Sequence, residues 1–289
     1  LIGQTVNSYK WSDGGKTSRL SDLLLELNKI DGLERIKFLT SYPRDMTDDL
    51  IHAVRDLPKV SHYLHVPAQH GSDDVLKRMK RGYTIGQYME MLDRLRGAIP
   101  HAALSSDFIV GFCGETDEEF ALSLELMKTV KFKNSFIFKY SPRPGTKAFD
   151  TQSDDVPESV KKERNRLLQE AQSVASLEGN QRFVGSRQQV LVEGLSTREE
   201  RRAVNPGPDG FAQLTGRTMC DRIVVFDAPL RLIGRMVDID ITSAGSWSLA
   251  GEVADGLADA VPLDYLEKQN PAVHQIKFPA QVVSRDARR

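Results

Sequence analysis

Asp107 is a single acid in an apolar run, Ala103-Leu104-Ser105-Ser106-Asp107-Phe108-Ile109-Val110-Gly111-Phe112-Cys113-Gly114-Glu115-Thr116. A carboxylate there needs a partner, within the protein or on a ligand. Gly111 and Gly114 permit backbone angles that other residues avoid, or a close approach to another group. Thr116 followed by Glu119 is a capping box, so the run reads as a strand, a glycine turn and a helix start. Such a junction is where α/β proteins hold ligands. Gln69 brings an amide that can donate and accept; it could equally cap loop backbone. Arg81 could grip a carboxylate with two parallel hydrogen bonds, or be one more solvated cation in the run 77–81. The two cysteines, Cys113 and Cys220, lie far apart. They provide no cluster for zinc or iron–sulfur, and Cys113 reads as a buried structural thiol. His62 and His65, three apart on a strand, point to opposite faces, so no metal site is expected in this chain.

The elements that must position these residues alternate. After an opening that reads as the end of a strand already under way, helices are predicted over 19–29, from Thr47 onward, and over 72–79, 85–96 and 117–130. Between them lie strands over 36–40, 63–66, 106–112 and 135–140. Strands regularly separated by helices imply a parallel sheet covered by helices, open or curled into a partial barrel. In either form the site lies at the C-terminal strand ends. Those ends carry Gln4 and Asn7, Ser41, Gln69, the Gly111 to Gly114 turn and residues 141–145. A long polar helix over 158–178 leads out of this unit. From residue 183 short alternating strands (190–192, 223–226, 237–242) separated by Gly and Pro turns predict a small all-β barrel or sandwich.

A chain of 289 residues with a net charge of −1 leaves no global charge argument for nucleic acid or membrane. Any basic footprint must be local. Between residues 182 and 235 nine arginines face six acids, a modest excess that a solvated surface would also explain. No apolar run approaches the ~18 residues of a membrane helix. Cysteine usage fits a reducing compartment, so the expected location is cytoplasmic. The segment 252–289 reads as a disordered tail.

Five motifs stand in order. They are Gly3-Gln4-Thr5-Val6-Asn7-Ser8-Tyr9, Thr40-Ser41-Tyr42-Pro43-Arg44-Asp45, Gln69-His70-Gly71-Ser72 with Leu76-Lys77-Arg78-Met79-Lys80-Arg81-Gly82-Tyr83-Thr84, the Asp107 to Thr116 run, and Tyr140-Ser141-Pro142-Arg143-Pro144-Gly145-Thr146. Together they resemble the radical-SAM methylthiotransferases, and the first and last resemble the MiaB branch, which modifies tRNA. Residues 183–251, with Thr215-Gly216-Arg217-Thr218, resemble the TRAM domain.

The resemblance implies a partial (β/α) radical-SAM barrel with a trailing helix (1–180), an OB-like TRAM barrel (181–251) and a tail (252–289). It implies S-adenosylmethionine, with Gln69, Arg81 and Asp107 holding its polar groups and Gly111 and Gly114 letting backbone approach the adenosine. Gln4, Asn7 and Ser41 would lie near the methionyl end. Arg44, Arg143, Arg217 and Arg222 would contact RNA. Intact members carry two 4Fe-4S clusters on cysteines that this chain lacks, so it resembles the later part of such a protein and is expected to be inactive alone. The implied reaction adds a methylthio group to N6-isopentenyladenosine beside the tRNA anticodon, with the anticodon stem-loop and an electron donor such as flavodoxin or ferredoxin as partners. The alternatives are threonylcarbamoyladenosine as substrate, or a cluster-less RNA-binding module. Tyr42, Ala68, His70 and Cys113 depart from the family's usual residues.

Overall fold

The computed structural model describes residues 1–201 and 210–254. The expected tail therefore lies, from residue 255 on, outside the described residues. The chain opens with a short 3-10 turn (Val6–Ser8) and a hairpin, β1 (Lys10–Asp13) and β2 (Lys16–Arg19). Gly14 and Gly15 both have positive φ, as a two-residue hairpin turn requires. Helix α1 (Leu20–Asn28) and α2 (Asp48–Asp56) follow, then β3 (Tyr63–His65), α3 (Asp73–Arg78), α4 (Ile85–Ala98), β4 (Ala103–Val110), α5 (Asp117–Val130) and β5 (Asn134–Lys139). The short α6 (Lys147–Thr151) and the long α7 (Glu158–Gln181) complete the first unit.

Strands β3, β4 and β5 form a parallel sheet in that order, with His65 opposite Ser105 and Asp107 opposite Phe136. One face of β4 packs Ser106, Phe108 and Val110 against a core that includes Leu64, Tyr88, Leu92 and Phe132. The strand predicted over 36–40 does not form; only Ile36 makes an isolated bridge, to Val60. The backbone breaks at Thr40, which has φ +62. The segment still continues the sheet's line by single bonds: Leu39 N donates to Leu1 O at 3.2 Å, and Ser41 N to His65 O at 2.9 Å. The opening residues likewise form no strand.

Helix α7 explains its own sparse apolar pattern. Its docked face is polar, with Arg164, Gln172, Ser176 and Asn180 buried beside Leu168. Gln172 Nε2 donates to Phe132 O at 2.8 Å and Ser176 Oγ to Lys133 O at 2.7 Å. Backbone carbonyls at the sheet's lower end take the place of an apolar groove.

The second unit holds β6 (Arg187–Leu195), the short α8 (Thr197–Glu200), β7 (Phe211–Thr218), β8 (Ile223–Pro229), β9 (Met236–Ala244) and β10 (Leu249–Val253). The five strands close into a barrel in the order β6-β7-β8-β10-β9, with β8 and β10 parallel and the other pairs antiparallel. This is OB-type topology. Gly216 and Gly251 allow neighbouring strands to cross closely: a Cβ on either would lie 2.5 Å or 2.6 Å from a backbone oxygen. Among the described residues no helix is long and apolar enough to cross a membrane.

Candidate cofactor cleft and the barrel–TRAM junction

The C-terminal ends of the parallel strands converge on β4. Gln69 N donates to Asp107 O at 2.8 Å, and Ile109 N donates to Gln69 O at 2.9 Å. This clasp holds Gln69 at φ +68, an uncommon conformation for a side-chain-bearing residue. Its amide makes no hydrogen bond among the described residues and remains available for a ligand. The partner of Asp107 is His65, whose Nε2 lies 3.4 Å from Oδ1. His65 Nδ1 in turn meets Ser105 Oγ at 2.8 Å, and Ser105 Oγ lies 2.7 Å from the Tyr63 hydroxyl. A polar chain thus crosses β3 and β4 and leaves one Asp107 oxygen free.

Two cavities meet at this strand end. One, about 520 Å³, lies at the top between the loop after α3 and the segment leading into α6. Its floor is Ile109, Phe112, Phe138 and Tyr140, and Arg81 and Arg143 stand at its rim. Neither arginine has an acidic partner among the described residues. The Tyr140 hydroxyl is pushed up to about 12 by burial, with the Cys113 thiol adding to the shift. The other cavity, about 730 Å³, follows the inner face of the sheet past His65, Asp107, Phe136 and Phe138 to Trp247 of the second unit.

The glycine turn is organised by a residue the sequence did not single out. Glu115, fully buried, accepts from Gly111 N and, at 3.0 Å, from Phe112 N. Its other oxygen lies 3.5 Å from both His70 Nε2 and Arg164 Nη1. His70 Nδ1 accepts from Ser72 N at 3.0 Å, so the ring proton belongs on Nε2, toward Glu115. The space that Gly111 leaves open is filled by the Lys161 stem, 2.3 Å from where a Cβ would lie, and Gly114 N donates to Asp155 at 2.7 Å. Gly111 serves this packing, and neither glycine's N–H group is free for a ligand. The signal was present: a glutamate four residues after a positive-φ glycine is well placed to bind the turn's donors.

The remaining expected residues fall in different places. Asn7 is buried and pairs with Tyr42 backbone through both amide atoms, Nδ2 to O at 2.8 Å and Oδ1 from N at 2.7 Å. Gln4 is exposed. Ser41 is buried with no partner for its Oγ, an orphan that a ligand or a water could satisfy. Arg44 Nη1 donates to Gly82 O at 3.1 Å, bracing the loop that follows Arg81.

Arg217 and Arg222, expected at the RNA, have partners within the protein. Rather than offering free cations, they build the junction. Asp221, a buried hub, bonds Lys37 at 2.6 Å, Lys133 at 3.2 Å and Arg217 at 3.1 Å. Arg217 also pairs with Glu193 at 3.0 Å, and Arg35 donates to Arg217 O at 2.6 Å. Arg222 lies 4.7 Å over the Phe183 ring and bonds Asn180. Burial opposes ionisation of Asp221, but Lys133, Lys37 and Arg217 outweigh it and hold its carboxyl below the usual range. Burial lowers the Lys133 ammonium to about 8 despite that pairing. Trp247, 64% exposed on the β9–β10 loop, is the aromatic that sequence reading passed over; only the barrel topology brings it to the sheet's inner face.

Residues 7–127 match the Radical SAM superfamily, and residues 181–254 match the TRAM domain. Over 253 residues the chain is 53% identical to a protein of Rhodopirellula baltica named tRNA-2-methylthio-N(6)-dimethylallyladenosine synthase, covering 88% of this chain and 52% of that protein. The chain thus carries a Radical SAM region followed by a TRAM domain, and over most of its length it is similar to a protein of that name. Proteins of the same name from an Acidovorax species and from Acetivibrio thermocellus are 47% and 44% identical over 89% and 88% of the chain, covering 55% and 50% of their own lengths. The chain spans about half the length of the curated relatives it matches.

The family's cofactors can be tested against these residues. S-adenosylmethionine fits the two adjoining cavities: the upper one has an aromatic and aliphatic floor for the adenine and the unpaired Arg81 guanidinium for a carboxylate, and the inner-face one has the free oxygen of Asp107 for ribose hydroxyls. An iron–sulfur cluster does not fit. It needs cysteine thiolates, and this chain's two cysteines are both buried, one in each unit.

Proposed function

We propose that this chain is the cofactor-cleft and RNA-facing part of a methylthiotransferase acting on N6-dimethylallyladenosine beside the anticodon of tRNA. What supports it is the backbone pairing of Gln69 with Asp107 at the end of β4, beside a cleft with Arg81 at its rim, in a chain whose relatives bear that name. Asp107, oriented by His65, would accept from the ribose hydroxyls, and Arg81 would pair with the methionyl carboxylate. The Gln69 amide would bond the cofactor's polar edge, with Ser41, Asn7 and Gln4 on the side toward β3. Bound S-adenosylmethionine would supply the methyl group and the radical chemistry; the residues here bind it, orient it and shield it. Gly111 and Gly114, held by Glu115 and Asp155, keep the turn under the cofactor in one shape.

The working division is a cleft unit over 1–180 and a TRAM unit over 181–251, with 252–289 as an appendage. The TRAM unit would hold the anticodon stem-loop by charge and shape, and Arg44 and Arg143 would face the RNA from the cleft side. The intact enzyme would take electrons from a flavodoxin- or ferredoxin-type donor in the cytoplasm.

Nucleoside analysis of tRNA from cells in which the gene carrying this chain is deleted tests the reading. The expected result is loss of 2-methylthio-N6-dimethylallyladenosine and accumulation of the unthiolated base. Unchanged methylthiolation of that base, with loss of the threonylcarbamoyl counterpart, would replace this substrate by the other.

A further inference from the structure

The cofactor cleft carries more positive charge than one carboxylate can use. Among the described residues six cations line it, and no Asp or Glu does. Arg78 and Lys139 are neutralised from outside by Glu119 and Glu158. Lys80, Arg81, Arg143 and Lys147 are all exposed and have no acidic partner among the described residues. Lys80 and Lys147 reach toward each other from opposite walls, and contact with the Lys147 ammonium lowers the Lys80 pKa. One hydrogen bond ties the walls together, from Gln152 Nε2 to Arg78 O at 3.2 Å. Lys80 also occupies a left-handed position, φ +57, just past the end of α3. Glycine is the residue that normally relieves such a position. A lysine there keeps a cation at a conformational cost, facing a second cation at an electrostatic one. An anion between them would offset both.

The geometry points to a phosphodiester of the substrate RNA, seated between Lys80, Arg143 and Lys147 at the rim of the cofactor cleft. This rests on the tRNA reading above and adds where the strand is held. Arg81 stays with the cofactor carboxylate. Phosphate contacts set register without reading sequence, and a contact here would fix the backbone next to the nucleotide that enters the cleft.

The test is a salt titration of the whole chain binding a synthetic anticodon-type hairpin RNA, followed by fluorescence anisotropy, for the unaltered chain and for K80Q/K147Q. Both lysines are exposed, so an unchanged thermal midpoint shows that the variant is folded. The expected result is weaker binding and a log–log salt slope shallower by up to about 0.7, the share of one phosphate. If the unaltered chain binds the hairpin and the variant keeps the same affinity and slope, the phosphate site is overturned while the tRNA reading stands. If the unaltered chain binds no RNA, both fall. If the variant differs only in losing competition by inorganic phosphate, the site takes free anions, and the RNA contact is overturned.

Discussion

The two β-structures of this chain treat their inner faces in opposite ways. The closed barrel fills its interior with Val190, Leu214, Val224, Phe226, Ile239 and Leu249, all buried. The three-stranded sheet seals only the face toward its helices. Its other face leaves Phe136 and Phe138 about half exposed, 53% and 54%, beside Asp107. Barrel closure satisfies every strand edge but leaves no room inside for a ligand, so binding moves to loops such as that of Trp247. An open sheet keeps a face and the strand ends for chemistry. Mutations on the two inner faces should therefore separate stability from binding.

The largest effect is expected inside the barrel. Phe226→Ala removes a sealed aromatic and should cost about 3–5 kcal/mol in a denaturant titration. A cost under about 1 kcal/mol would mean the barrel interior is not close-packed. Next comes the junction that couples the two structures. Asp221→Asn leaves Lys133 buried beside a neutral amide and weakens the ties to Lys37 and Arg217. Breaking a buried pair costs about 3–5 kcal/mol. Lys37 is partly solvated, which screens its share, so about 2–3 kcal/mol is expected. Limited proteolysis should then cut between the units before either unfolds.

The same hub sets a pH dependence. The folded pKa of Lys133, about 8, lies below its ordinary 10.5. Between those values the unfolded chain binds more protons, so this residue's contribution to stability rises with pH. Its buried charge is a cost that is full below pH 8 and fades toward 10.5. Lys133→Met should abolish that rise, on the order of 1–3 kcal/mol across the window. Asp221 acts at the other end. Its lowered pKa contributes stability above the ordinary carboxylate range, and that contribution is lost as the pH falls through the folded value. Asp221→Asn should flatten the acid limb; a limb of unchanged shape would remove the hub from acid unfolding.

This contrast also explains what was legible in the sequence. Helices α1, α4 and α5 and strand β5 lie within a residue or two of their predicted limits, because an apolar stripe and a capping box are local signals. Asp107 and Gln69 were visible as polar groups at strand ends. The segment around residues 36–40 carried β-forming residues but no continuous partner strand, so composition overstated it. Helix α7 reads as merely polar because its docking groups, Gln172, Ser176 and Asn180, bond to backbone carbonyls that no side-chain pattern reveals. Arg217 and Arg222 read as free cations because their neighbours are set by the second unit's own fold: Asp221 reaches Arg217 across the β7–β8 turn, and Phe183, ahead of the first barrel strand, comes under Arg222.

The smallest stability effect sharpens the comparison most. Phe138→Ala removes a half-exposed ring from the open face, in register with Ile109. Surface truncations usually stay within about 0.5 kcal/mol, and Phe138 has no core to collapse into, so a denaturant titration should barely move. The ring nevertheless lines both the upper cleft and the inner-face cavity. Equilibrium dialysis with S-adenosylmethionine should show weaker binding by roughly tenfold, near the ~1.5 kcal/mol of a lost aromatic contact. Phe226→Ala, measured where the chain is still folded, should leave that affinity unchanged. If both variants weakened the cofactor equally, the closed barrel and the open sheet would be one cooperative body. The division between a structural inner face and a binding one would then fail.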